Sequence, residues 1–70
     1  MDLIIIDKYS EYMTITKFED DKESSIINLT YIPLIEHQND IKWSRIKQDI
    51  RFMVKQNLGY EYRTYFHVHI

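Results

Sequence analysis

The chain closes on Tyr-Phe-His-Val-His-Ile, so His67 and His69 stand two residues apart near its end. On a strand, side chains at i and i+2 point the same way, with Cα atoms about 6–7 Å apart. Two imidazoles at that spacing suit one metal ion. Zn²⁺ or Fe²⁺ needs at least a third protein ligand, however. The remaining histidine, His37, belongs to another segment, and no spacing selects a carboxylate such as Glu61. The reading adopted is two exposed strand histidines, with a pH-responsive contact surface as the intermediate alternative. No metal site and no cofactor are expected.

Nucleophilic chemistry has less support. There is no cysteine. No Gly-rich phosphate loop, GxSxG or HExxH occurs. Ser10, Ser24, Ser25 and Ser44 could each be paired with a histidine on paper, but nothing in the sequence chooses among them. No catalytic residue is expected, and the chain is read as a non-enzyme.

Binding surfaces are better marked. Glu19, Asp20, Asp21 and Glu23 fall within five residues. They read as an acidic turn, either a solvated hairpin end or a finger that enters a basic cleft. A second candidate lies on the helical segment described below, where Ile41, Arg45, Gln48, Phe52 and Lys55 are spaced 4, 3, 4 and 3. That row leaves Phe52 about 160° from the core stripe, an aromatic between cations. A third is Arg63, Tyr65 and His67 on one side of the last strand, where Tyr offers contact area at low entropic cost.

These residues need elements to hold them. "DLIIID" reads as a short buried strand. "YMTITKF" alternates and is rich in β-branched and aromatic residues, as a strand should be. "EDDKES" reads as a polar turn, and "SIINLTYI" as a strand stopped by Pro33. Asn39 or Asp40 can cap a helix over 41–58, with Gly59 as its C′ residue. At about 100° per residue, Trp43, Ile46, Met53 and Val54 fall within about 60° of Ile50 and form the core face. "YEYRTYFHVHI" has period two, with Tyr62, Thr64, Phe66 and Val68 opposite Arg63, Tyr65 and His67. The order is β-β-β-α-β. One helix covers one face of a sheet, so the fold class is α+β, a two-layer sandwich with one sheet face open.

Seventy residues make a single domain, 1–70, with no disulfide to staple it. No segment reaches the roughly 18 apolar residues of a membrane span. The apolar start, flanked by Asp2 and Asp7, lacks the basic region of a signal peptide. A cytoplasmic setting with no membrane partner is expected. The net charge of −2 hides an asymmetry: residues 1–38 carry three lysines against eight acids, a net −5, and residues 39–70 a net +3. Ala is absent and Ile, Lys and Tyr abound, as in AT-rich coding DNA of phage or mobile elements. These readings converge on a small protein-binding module. Its most concrete form is a phage-type inhibitor that occludes a host defence or nucleic-acid-processing protein. The alternatives are a nucleic-acid-binding protein using the basic helix face and aromatic sheet face, and a structural homodimer.

Overall fold

A computed structural model describes residues 8–34 and 40–69. Four elements follow one another: β1 (Met13–Asp21), β2 (Ile26–Pro33), α1 (Asp40–Leu58) and β3 (Arg63–Val68). The strands form one sheet in the order β1-β2-β3, with the helix inserted between β2 and β3. The fold is α+β, as the order of elements predicts. The first expected strand, over 2–7, lies outside the described residues, as does His37.

β1 and β2 form an antiparallel hairpin in which Asp21 faces Ile26. The turn is shorter than "EDDKES" suggests. It spans residues 22–25, so Glu19, Asp20 and Asp21 belong to the strand. Two local devices make the turn. The Asp21 carboxylate accepts a hydrogen bond from the Ser24 amide at 3.2 Å, and Ser25 takes a left-handed φ of 54°. A bulge at Thr16 shifts the register between Ile15 and Lys17. The extra residue lets the inward face pass from Met13 and Ile15 to Phe18.

The helix obeys its periodicity. Trp43, Ile46, Ile50 and Val54 are buried against Ile27, Leu29 and Tyr31 of β2, and Met53 packs beside them. Ile27, Leu29, Ile50 and Val54 are sealed from solvent, each worth about 1.5–3 kcal/mol of transfer free energy. Tyr31 is the junction. Its ring stacks on Trp43 with centroids 5.6 Å apart and meets Phe66 edge-on at 6.5 Å, which ties helix, central strand and β3 together.

Gly59 stops the helix. Its amide still donates to the Lys55 carbonyl at 3.0 Å, and its φ of 143° is one that side-chain-bearing residues avoid. The Tyr62 amide then donates to the Gly59 carbonyl, and the Arg63 amide to the Ser25 carbonyl. That last bond lays β3 beside β2 in parallel, from Ile26 opposite Arg63 to Tyr31 opposite Val68. The strand is shorter than the period-two run, and 60–62 form the approach to it. Its alternation holds: Tyr62 and Thr64 are buried on the helix side, and Arg63, Tyr65 and His67 are exposed on the other.

Candidate partner-binding surface

In a parallel ladder, a strand residue gives both its N–H and its C=O to the same side, and its neighbours give theirs to the other. The amides of Arg63 and His69 bond to β2 carbonyls, of Ser25 and Tyr31 respectively. By period two, Tyr65 and His67 also turn toward β2. Thr64, Phe66 and Val68 therefore turn their backbone groups away from it. Among the described residues, β3 is an edge strand with no second neighbour.

One flank of α1 overhangs that edge. Lys47, Arg51 and Lys55 recur every four residues and so share one side of the helix. The Arg51 guanidinium sits 5.0 Å from the centre of the Phe66 ring, and the Lys47 ammonium 5.8 Å from it. Such contacts hold the charged heads over β3 while their stems cover apolar surface. Lys55 lies in the last turn, where a cation also complements the helix dipole.

A cleft of about 330 Å³ opens where flank and edge meet, lined by Arg51, Lys55, Arg63, Thr64 and Tyr65. Among the described residues, three cations and no acid line it. Tyr65 is 46% exposed at its rim. Thr64 is 6% exposed, and its hydroxyl has no hydrogen-bond partner among the described residues.

A larger cleft, about 530 Å³, lies on the opposite flank between Tyr9, Tyr12, Ile41, Lys42, Arg45, Ile46 and Asp49. Several of its polar groups serve one another. Asp49 accepts from the Tyr9 hydroxyl and pairs with Lys8 at 2.8 Å. Those two hydrogen bonds hold its carboxyl below the usual aspartate range. Burial first, and then Asp49, pushes the Tyr9 hydroxyl well up. Lys42 lies 4.6 Å from the centre of the Tyr12 ring. Among the described residues, the smaller cleft sets three cations together with no acid beside them, whereas the larger one holds the Lys8–Asp49 ion pair.

The residues singled out in the sequence scatter over three regions. Three of the four acids are engaged within the fold. Glu19 pairs with Lys17 at 2.8 Å, and Asp21 caps the turn. Asp20 hydrogen-bonds Tyr62, whose hydroxyl is raised by burial and then by that carboxylate. Glu23 is exposed in the turn. Arg45 lines the larger cleft, while Gln48 and Phe52 sit on the outer helix face, with Phe52 53% exposed. Lys55, Arg63 and Tyr65 meet at the smaller cleft. His67 points Nε2 at the Asn28 side-chain oxygen, 3.1 Å away, and His69 Nδ1 lies 3.4 Å from the Thr16 hydroxyl. Among the described residues no group of three His or carboxylates gathers round a metal position. No helix among the described residues is long and apolar enough to cross a membrane.

Sequence reasoning passed over Lys47, Arg51 and Thr64. The four-residue recurrence of Lys47, Arg51 and Lys55 was visible, but Arg63 joins them only through the parallel pairing of β3. Compared with protein-family models, curated proteins and solved structures, the chain matches none of them.

Proposed function

We propose that the chain is a small non-enzymatic protein-binding module whose working surface is the outer edge of β3. The observation that carries this reading is the juxtaposition of an edge strand's outward backbone groups with three cations that no acid among the described residues offsets. An extended, acidic segment of a partner can add to such an edge. Main-chain bonds to Phe66 and Val68 supply affinity, and Arg51, Lys55 and Arg63 supply charge selectivity. The engagement of Asp20 by Tyr62 and of Asp21 by the turn favours this edge over an acidic finger. The most concrete form remains an inhibitor that covers a site on a host defence or nucleic-acid-processing protein, a form supported by composition alone.

Proline at 68 tests the edge, because the Val68 amide faces away from β2. Proline removes that outward donor, adds a steric block and leaves the β2–β3 ladder intact. The wild-type chain and Val68→Pro are used as bait in a nuclease-treated bacterial lysate. A stoichiometric protein held by the wild type and lost by the variant supports the reading. Equal retention by both places the contact elsewhere.

Tyr65 beside the three cations favours a second reading, binding of single-stranded nucleic acid by stacking and charge. It predicts bound material that absorbs at 260 nm, is lost on nuclease treatment, and falls steeply with salt.

A further inference from the structure

We infer that the cleft between α1 and the start of β3 is an oxyanion site for a phosphoryl group in its dianionic form. The inference needs only the cleft and stands apart from the protein-partner reading.

Three features converge there. Arg51 and Lys55 come from the helix and Arg63 from the strand, so the cations arrive from two elements around one opening. Thr64 forms a wall between them, with its hydroxyl buried and unpartnered among the described residues. A buried hydroxyl without a partner is costly and calls for an explanation, of which a ligand is one. The ladder also turns the Thr64 amide toward the outer edge, as the Arg63 and His69 bonds to β2 require. The cleft thus gathers three cationic groups and the Thr64 amide, with the buried Thr64 hydroxyl in its wall.

That donor set selects the ligand class. A phosphate monoester or free phosphate offers three terminal oxygens and close to two negative charges at neutral pH. A carboxylate offers two oxygens and one charge. A phosphodiester has one charge and two free oxygens, and would leave two cations unmatched. The cleft volume of about 330 Å³ is at the small end of ligand sites and suits a compact anion with room for an attached group. Tyr65 at the rim gives such a group an aromatic face.

The test is amide NMR on the full chain in phosphate-free buffer at low ionic strength. Three probes are added in turn: inorganic phosphate, phenyl phosphate, and a single-stranded oligonucleotide without terminal phosphates. Saturable shifts at Thr64 and Tyr65 with inorganic phosphate are expected. Tighter binding of phenyl phosphate identifies a phosphoryl group carried on a larger molecule. Tighter binding of inorganic phosphate identifies the free ion. Thr64→Val should weaken either by about tenfold, the scale of one hydrogen bond to a charged group. Arg63→Gln should weaken it by a similar factor and is exposed enough to leave the fold alone. Absence of saturable shifts overturns the site. So does unchanged affinity in both variants, or tighter binding of the oligonucleotide than of either dianion.

Discussion

Replacing Thr64 with valine should make the protein more stable, an unusual sign for a buried position. The two side chains are nearly isosteric and both favour strands. They differ in the hydroxyl, which is why the exchange is seldom neutral. Thr64 is 6% exposed and its hydroxyl has no partner among the described residues. Burial of such a group costs about 1–3 kcal/mol in mutational series, and valine removes that cost. A gain of about 1–2 kcal/mol is expected, read as a rise in Tm of roughly 4–8 °C per kcal/mol for a domain of this size. Thermal and urea unfolding by circular dichroism in phosphate-free buffer measure it. Phosphate then narrows the gap. At about 100 times its dissociation constant the wild type gains about 2.7 kcal/mol, while a variant binding tenfold more weakly gains about 1.4. The advantage of the variant should shrink by about 1.3 kcal/mol. A Thr64→Val protein that is less stable than wild type without phosphate refutes the reasoning, because the hydroxyl would then have a partner.

Ile50→Ala, at a fully buried helix position, should cost about 2–5 kcal/mol and leave so small a domain largely unfolded by circular dichroism. Gly59→Ala should lower the urea midpoint, because φ is 143° and an added Cβ would lie 2.6 Å from the Glu61 carboxylate oxygens. The Asp49 carboxyl is held low, so its contribution is present above about pH 4, the ordinary aspartate value, and is lost as pH falls further. Asp49→Asn should flatten that acid limb of the stability profile. The hydroxyls of Tyr9, Tyr31 and Tyr62 are raised, chiefly by burial. Their contribution is present below about pH 10 and lost above it, so unfolding should steepen on that alkaline side.

Much of the architecture was legible because periodicity reports faces. The stripe through Trp43, Ile46, Ile50 and Val54 located the helix and its buried side, and Gly59 marked its end. Period two assigned Thr64 to the helix side of the last strand and Arg63, Tyr65 and His67 to the other. Periodicity does not report neighbours. Nothing local to β3 says that it runs parallel to β2, a pairing made by Arg63 reaching Ser25, far away in sequence. The acids looked like a turn because Asp and Glu are poor strand formers. In the fold, Asp20 stays in the strand, where Tyr62 supplies a hydrogen bond. Thr64 reads as an ordinary β-branched residue, and only the tertiary packing shows its hydroxyl stranded. The cationic cleft was half visible: Lys55, Arg63 and Tyr65 were singled out on separate elements, and the fold brings them together with Arg51.

Backbone amide exchange along β3 tests the central claim most directly. An open edge predicts alternation: slow exchange at Tyr65 and His67, whose amides face β2, and fast exchange at Phe66 and Val68. Added partner or acidic peptide should then slow the outward amides, Phe66 and Val68 among them, and leave Tyr65 and His67 unchanged. Protection of Phe66 and Val68 equal to that of Tyr65 and His67 in the free protein would mean that the edge is already covered, and would contradict its role as the working surface.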